Sequence, residues 1–398
     1  MAQDQPSLDF QSHVDEAYEI LKRLSVKDLC HKSLVSGTWR NLIQDDDFKT
    51  LHHSWFRKNP LLLIIVTPQL VIQNYLSSDD EYQQVEDLCE DFEIVNENDT
   101  EFPLVLTSVN PTDGEVMYRL TIPINCDDFE VLSSGRGSLF CIRSSVNYSI
   151  FNPTTKQIHT LPQADPPNAI VSGFGYIESE KTYVIVKLLY SLCQIIMLSE
   201  TGHMITPWKT IEDAVPFNAS GNPGFIVGKA CYWLDDQTLR LPMMMRILCL
   251  DLDSETFYIV DYPAPESYEN KHDMHIGELK GKLFMTDTFP NMLKMDIWER
   301  ENGKYSNWEM KYCIDLSLID GFDDVFSELK LIGYISEGDQ DEMLMFQNSE
   351  ENEVFYYDVE AKTFKEGHQL EVGNSIDSMI FPYTEKFSSI RRPAERID

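Results

Sequence analysis

The stretch His272-Asp273-x-His275 offers the side chains best suited to metal binding. Imidazole and carboxylate groups of this kind hold zinc in many proteins. Here the spacing supplies no evident third ligand, and the surrounding region is rich in β-type residues and flanked by prolines. The sequence therefore predicts a surface loop at this position, with no metal.

Motifs of enzyme catalysis are missing from the sequence. There is no G-x-S-x-G, no phosphate-binding P-loop and no HExxH. Gly135-Arg136-Gly137 fits no dinucleotide fingerprint, and a tight turn before a strand accounts for it. Carboxylates number 66, too many for one pair to stand out. We expect a protein that is not an enzyme and that uses no cofactor; a propeller enzyme is the rival class, and metal analysis of purified protein would reveal a metalloenzyme.

The first fifty residues have helical periodicity. The apolar residues of three short helices follow one another as Ile20, Leu21 and Leu24, then Leu29, Leu34 and Val35, then Trp39, Leu42 and Ile43. Ser25 and Asp28 have the spacing of a capping box that opens the second helix, and Ser36-Gly37 predicts a break before the third. Such a bundle buries little surface alone, so a partner or the rest of the chain should complete it.

From Pro60 onward, short alternating segments separated by turn residues indicate β-strands. Three heptads share one pattern, with Asn or Asp at the head and Lys or Glu at the fifth place: Asn152–Ile158, Asp251–Phe257 and Asp358–Phe364. Degenerate copies at Ser199–Gly202 and Arg300–Gly303 bring the spacing to roughly 45 to 60 residues, about the size of a kelch blade. This predicts a closed propeller of about five to seven blades; a large β-sandwich with similar hairpins is the alternative.

The chain is strongly acidic, with a net charge of −34. Phosphates would be repelled, so we expect neither nucleic acid nor a membrane as partner and favour a basic protein instead. No Lys or Arg occurs from Asn59 to Tyr118, and acidic residues crowd residues 79–93. That run is either a solvated loop or surface helix, or a docking patch for a cationic partner.

Location follows from what the sequence lacks. No apolar run approaches the length of a membrane-spanning helix, and the N-terminus MAQDQPSLDF does not have the form of a secretory signal. The eight cysteines include no CxxC pair, which favours buried reduced thiols. We expect a protein of the cytoplasm, the nucleus or both.

The run EILKRLSVKDLCHKSLVSGTWRNLIQDDDFKTLH, from Glu19 to His52, resembles the F-box motif of plant F-box proteins. This chain departs from the family pattern at Ser12-His13, where Leu-Pro is usual, at Glu16 and Ala17, and at Ser25, where Pro is usual. The resemblance implies that the module binds a Skp-type adaptor and, through it, a cullin. The residues expected to bind the adaptor are Ile20, Leu21, Leu24, Val26, Leu29, Leu34, Val35 and Trp39. Their alternative role is the core of the bundle, above all for Leu34 and Trp39.

The rest of the chain resembles the F-box-associated (FBA) domain, type 1 or a close relative. The landmarks are SSGRGSLFCIRSSVNYSIFNPTTKQIHTLP (residues 133–162), Gly173–Tyr176 with Tyr183–Val186, and Gly228–Trp233 with ILCLDLDSETF. The expected fold is mainly β, a kelch-like β-propeller preceded by a small three-helix F-box module. We expect flexible tails at residues 1–12 and 386–398, the helical module at 13–56 and the propeller at 57–385.

The resemblance implies a substrate-recognition subunit of a Skp–cullin–F-box ubiquitin ligase. The alternative is a propeller interaction module whose degenerate F-box no longer joins a ligase. The substrate is an unknown protein. The loop from Asp261 to Met274 is the expected contact region, with Tyr262, Tyr268 and Phe289 as substrate-binding candidates; Trp208, Trp298 and Trp308 are further aromatic candidates.

Overall fold

The computed structural model describes seventeen segments of the chain. They are residues 16–66, 102–111, 114–124, 129–135, 138–144, 147–166, 171–189, 192–212, 223–235, 246–261, 263, 273–289, 293–319, 329–337, 341–348, 353–369 and 379–386. The acidic run at residues 79–93 and nearly all of the two predicted tails lie outside these residues. So do Ser12, His13 and His272, together with Tyr262 and Tyr268.

The described N-terminal region is helical. It contains α1 (residues 16–21), α2 (Val26–Val35), α3 (Gly37–Gln44) and α4 (Asp46–Lys58). The three predicted helices correspond to α1, α2 and α3, and α4 is an addition to them. Asp45 caps α4 by accepting hydrogen bonds from the Asp47 and Phe48 amides, a role that short acidic side chains perform at helix starts. None of the helices in the described part of the chain is long and apolar enough to cross a membrane.

The helical module has a small core of its own. Leu21, Leu29, Ile43 and Phe48 pack together, with Tyr18 and Leu24 against them. His52, also buried, lies with its Nε2 2.9 Å from the carbonyl oxygen of Leu24, so α4 is tied to the turn before α2.

Twenty-four strands make up the rest of the described chain. They are β1 (Leu61–Val66), β2 (Phe102–Val109), β3 (Val116–Ile124), β4 (Phe129–Ser133), β5 (Phe140–Ser144), β6 (Tyr148–Asn152), β7 (Gln157–Thr160), β8 (Val171–Ile177), β9 (Thr182–Leu188), β10 (Cys193–Ser199), β11 (Lys209–Ile211), β12 (Gly224–Val227), β13 (Ala230–Asp235), β14 (Arg246–Asp251), β15 (Thr256–Val260), β16 (Asp273–Leu279), β17 (Lys282–Phe289), β18 (Lys294–Arg300), β19 (Trp308–Asp315), β20 (Leu329–Glu337), β21 (Asp341–Asn348), β22 (Glu353–Asp358), β23 (Thr363–Gln369) and β24 (Met379–Tyr383). A short 3-10 helix, Leu316–Leu318, follows β19.

These strands form six four-stranded units. Five are antiparallel meanders of consecutive strands, β4 to β7, β8 to β11, β12 to β15, β16 to β19 and β20 to β23. Two of them merge into one eight-stranded sheet through a short parallel pairing of β8 with β12, at Gly173 with Gly224 and Phe174 with Phe225. The sixth has the order β24-β1-β2-β3, so a C-terminal strand joins three N-terminal ones.

Apolar clusters connect the six units into a closed ring. One cluster fills each boundary between neighbours, including the boundary that joins β20 to β22 with β1 and β24. Every sheet therefore has apolar neighbours on both faces, as blades of a propeller do. The β-propeller prediction is confirmed, with six blades formed by the described residues. The β-sandwich alternative is wrong because its sheets would pack in one pair.

The predicted repeat corresponds to one hairpin of each blade. Asn152, Asp251 and Asp358 begin the turn between the third and fourth strands, and each side chain accepts hydrogen bonds from the backbone amides two and three residues later. The fifth residue of each heptad has a positive φ, 58° at Lys156, 55° at Glu255 and 56° at Lys362. The heptads thus encode a turn that reverses the chain at the edge of a blade.

Candidate functional site

Four apolar side chains of the helical module face solvent. Their exposed fractions are 64% for Ile20, 74% for Leu34, 75% for Val35 and 38% for Trp39. Leu34 and Val35 end α2, and Trp39 lies in the first turn of α3, so three of the four lie at one helix junction. We call Leu34, Val35 and Trp39 the junction patch. Exposed apolar residues grouped in this way are typical of a protein-binding surface.

The helix caps position this junction. Ser36 ends α2 and begins α3, and its hydroxyl accepts a hydrogen bond from the Trp39 amide at 3.1 Å. Arg40 Nε donates to the carbonyl oxygen of Ser33 at 3.2 Å, which ties α3 back to the last turn of α2. The side chains of Leu34 and Trp39 are therefore presented by a turn with defined hydrogen bonds.

The other predicted adaptor-binding residues lie inside the module. Leu21, Val26 and Leu29 are buried, and Leu24 is half-buried against the core. The alternative that placed Leu34 and Trp39 in the core is wrong, because the core is filled by other side chains and these two project outward. Contact between the adaptor and each of the eight residues remains a prediction, and only the exposed ones can make it without rearrangement.

Ser25 replaces the family's usual proline without loss of the helix start. Its hydroxyl accepts from the Asp28 amide at 3.1 Å and donates to the Asp28 carboxylate at 2.8 Å. The Ser25 half of the predicted capping box is therefore present, and it supplies a partner for one of the free amides of the first turn.

A buried carboxylate joins the module to the propeller. Glu385, two residues after β24, accepts a hydrogen bond from the Val26 amide at 2.6 Å. Burial raises the pKa of Glu385 to about 7; the Val26 amide opposes the rise and the Asp28 carboxylate adds to it. Arg57 on α4 makes a second connection, donating to both carboxylate oxygens of Glu178 at 2.5 and 3.0 Å.

His52 is a second buried group in this region whose pKa is shifted. Burial lowers its pKa to about 4, although the hydrogen bond to the Leu24 carbonyl works in the opposite direction. The imidazole is therefore neutral at ordinary pH and acts as part of the apolar core, in ring contact with Phe48 and Phe56.

The first strands of the blades surround a central cavity of about 380 Å³. Residues of β4, β12, β16, β20 and β24 line it, and Arg57 and Pro60 border it from the side of the helical module. A space of this size is in the range of small-molecule sites. The cavity is a second candidate site, made by strands that are far apart in the sequence.

The substrate-binding candidates are only partly within the described residues. Tyr262 and Tyr268 are outside them. Phe289 ends β17 half-buried, with the Lys294 ammonium 5.4 Å from its ring centroid. Substrate contact by these three residues remains a prediction.

The three tryptophans proposed as anchors take part in packing between blades. Trp208 donates from Nε1 to the Pro162 carbonyl at 2.8 Å, and Trp308 donates to the Asp261 carbonyl at 2.8 Å. Trp298 packs against the cluster between β12–β15 and β16–β17.

The described part of the histidine stretch is not in the surface loop that was predicted. Asp273 and His275 belong to strand β16, and His275 lines the central cavity. Of the predicted turn Gly135-Arg136-Gly137, the structure describes Gly135, which follows β4 with a φ of 71° and whose amide donates to the Ser133 hydroxyl. Arg136 and Gly137 lie outside the described residues. Within the described segments, no group of three or more His, Cys, Asp or Glu side chains is placed to hold a metal ion.

The chain thus combines a small helical module, which exposes apolar residues, with a β-propeller. Residues 17–51 match the F-box domain model, and residues 94–388 match the model described as F-box associated beta propeller domain. The chain therefore belongs to the family of plant F-box proteins with an FBA domain. The matching domain is the FBA_3 type, which refines the type 1-like expectation.

The curated relatives agree with this family. Putative F-box protein At1g70380 of Arabidopsis thaliana is 22% identical, over 72% of this chain and 74% of its own length. F-box/kelch-repeat protein At3g23880 of the same species is 24% identical, over 73% and 76%. F-box protein At1g47340, also from Arabidopsis thaliana, is 27% identical over 54% of this chain, and the match spans only 45% of that relative.

Solved structures are more distant. A chain of the nidogen/laminin complex matches 66% of this chain and 89% of its own at 10% identity, with a TM-score of 0.38. TolB from Acinetobacter baumannii matches 67% and 62% at 11% identity, with a TM-score of 0.31. At these scores neither likeness bears on the function.

Proposed function

We propose that this protein is the substrate receptor of a Skp–cullin–F-box ubiquitin ligase. Its helical module binds a Skp-type adaptor, which connects it to a cullin, and its propeller holds a protein substrate. The observation that carries the proposal is the junction patch of Leu34, Val35 and Trp39, exposed on a module of the F-box family whose core is already filled.

The energetics favour a partner at this surface. Covering a leucine or valine side chain stabilises a complex by roughly 1.5–3 kcal/mol. A tryptophan beside them is the residue type most enriched among the strongest interface contacts. The junction patch therefore provides an apolar anchor, while the caps at Ser25 and Ser36 hold its shape before binding.

The receptor has no bond chemistry to perform in this role. It brings a substrate lysine close to a ubiquitin-charged enzyme, and tethering raises the effective concentration to the order of millimolar. Such work belongs in the cytoplasm, the nucleus or both. With a net charge of −34, the surface favours encounter with a basic substrate.

Calorimetric titration of the purified chain with a Skp-type adaptor tests the proposal. The variant combines Leu34→Gln and Val35→Gln, which removes two exposed apolar side chains without touching the core. Polar glutamine avoids placing a negative charge at the C-terminus of α2. We expect at least about tenfold weaker binding.

The matched control is Ile205→Gln, which removes a side chain of 56% exposure on the propeller. It should bind the adaptor as the unmodified chain does. Equal loss in both variants would contradict a specific role for the junction patch. No binding by a folded, unmodified chain would favour the alternative, a propeller interaction protein with a degenerate F-box.

A further inference from the structure

The central cavity has a wall suited to an apolar molecule. Val131, Ile276, Leu331 and Ile380 line it, and each also belongs to an apolar cluster between two blades, so packing holds these parts of the wall in place. The volume of about 380 Å³ is within the roughly 300–1,000 Å³ of small-molecule sites. The cavity can therefore enclose a small organic body without first rearranging the blades.

The charges on the cavity wall are opposite to those of the chain as a whole. The chain has 66 acidic and 32 basic residues. Among the described residues that line the cavity, Arg57, Lys280 and Lys330 are basic and Glu278 alone is acidic. Basic side chains therefore outnumber acidic ones among the described lining residues, whereas acidic residues outnumber basic ones in the chain as a whole.

These cations lie at two ends of the cavity. Toward the helical module, Arg57 is paired with Glu178 and Lys280 with Glu342. At the other end, Lys330 is the second residue of β20 and His275 the third residue of β16, on neighbouring blades. Lys330 lies opposite Gln347 of β21, which also lines the cavity.

We propose that this cavity binds a small organic acid with an apolar body. Its acid group contacts Lys330 and His275, and its body packs against Ile276, Leu331 and Ile380. Arg57 and Pro60 border the same space, so the occupant touches the helical module as well as the blades. This ligand site is proposed in addition to the receptor function. Ligand binding in the cavity does not require the adaptor.

Fluorescence titration of the full chain tests this with two probes. Anilinonaphthalene sulfonate combines an apolar body with an acid group, and N-phenylnaphthylamine has a similar body without the charge. We expect one sulfonate molecule to bind per chain. Its affinity should be at least about tenfold above that of the neutral probe, because one charge-assisted hydrogen bond typically contributes that much. Equal affinities would overturn the assignment of an acid.

Two variants locate the site. Lys330→Gln should weaken the sulfonate about tenfold and leave the neutral probe unchanged. Its matched control is Lys311→Gln, an exposed position on the outer strand β19. Equal sulfonate affinity in these two variants would overturn the proposal. Near-ultraviolet circular dichroism of every variant excludes the binding that partly folded chains show toward this dye.

A third variant blocks the cavity itself. Ile332→Trp enlarges a half-buried side chain in the wall and should abolish binding of both probes. Retained sulfonate binding by folded Ile332→Trp protein would overturn the location. The double variant Leu34→Gln and Val35→Gln should bind the sulfonate normally, so a failure of this site and a failure of adaptor binding are distinguishable.

Discussion

In the helical module, four apolar side chains form the core and four others, Ile20, Leu34, Val35 and Trp39, face solvent within residues 16–58. The described propeller exposes eight large apolar side chains over a far longer stretch and shares a cluster across each of its six blade boundaries. The propeller completes its own core, whereas the module leaves apolar side chains exposed. This difference is what the proposed receptor role requires, with the propeller as a scaffold and the module as a docking element.

The largest effect should come from opening a blade boundary. Trp233→Ala removes a fully buried side chain from the cluster between β8–β11 and β12–β15. We expect the free energy of unfolding to fall by about 3–5 kcal/mol, since such substitutions leave a large cavity. Urea unfolding followed by circular dichroism measures it. Tyr305→Ala, at 89% exposure, should stay within about 0.5 kcal/mol of the unmodified chain.

A large-to-small substitution in the core of the module should destabilise the module and leave the propeller unaffected. Leu29→Ala removes a fully buried side chain from the module core and should cost the module about 2–5 kcal/mol. Adaptor binding should be lost while the propeller's unfolding midpoint stays in place. A matching shift of that midpoint would mean that the two regions unfold as one unit.

The pH dependence of stability tests the buried contact between the helical module and the propeller. The pKa of Glu385 is about 7 in the folded chain, against an ordinary 4.5, so the folded state retains a proton that the unfolded state releases. This contribution is complete below pH 4.5 and is lost as pH rises through 7, and it amounts to about 3 kcal/mol. Glu385→Gln should remove this slope, as denaturant unfolding at successive pH values would show.

His52 contributes to the pH dependence of stability in the opposite direction. Its pKa of about 4 in the folded chain, against an ordinary 6.5, means that the unfolded state binds a proton first. Stability from this group is complete above pH 6.5 and is lost as pH falls through 4. His52→Gln should therefore steepen the loss of stability with rising pH, and Glu385→Gln the loss with falling pH. Parallel profiles for the two variants would contradict these assignments.

The smallest effect concerns the cap beside the junction patch. Ser36→Ala removes the hydroxyl that accepts from the Trp39 amide and should cost about 1 kcal/mol of module stability. Glycine is tolerated better at such positions, so Ser36→Gly should lower module stability by only a few tenths of a kcal/mol. Thermal unfolding of the module, followed by circular dichroism and compared with the propeller transition, distinguishes the two variants. Equal losses of stability would mean that the Ser36 hydroxyl does not stabilise the junction.

Local patterns of the sequence predicted much of this fold. The Ser25 cap, the break at Ser36 and the turns of the heptads at Asn152, Asp251 and Asp358 all occur where they were expected, because each depends on residues a few positions apart. Helix α4 was missed, although Asp45 at its cap and Arg57 in its last turn are ordinary helix signals. The turn that begins at Asn110 and contains Gly114, with a φ of 72°, is a sixth hairpin that the repeat search did not find.

The candidate sites depend on tertiary packing and were harder to predict. The sequence assigned Leu29 and Leu34 to the same helix, but packing against Ile43 and Phe48 decides that the first is buried and the second exposed. The central cavity combines residues of strands that are distant in the chain, from β4 to β24, so no local sequence pattern predicts it.

Hydrogen–deuterium exchange of the full chain with and without a Skp-type adaptor tests the docking role of the module most directly. The receptor account predicts slower exchange at residues 33–40, around the junction between α2 and α3, and unchanged exchange in the blade strands. Adaptor-dependent protection confined to the propeller, or none anywhere in a folded chain at saturating adaptor, would contradict it.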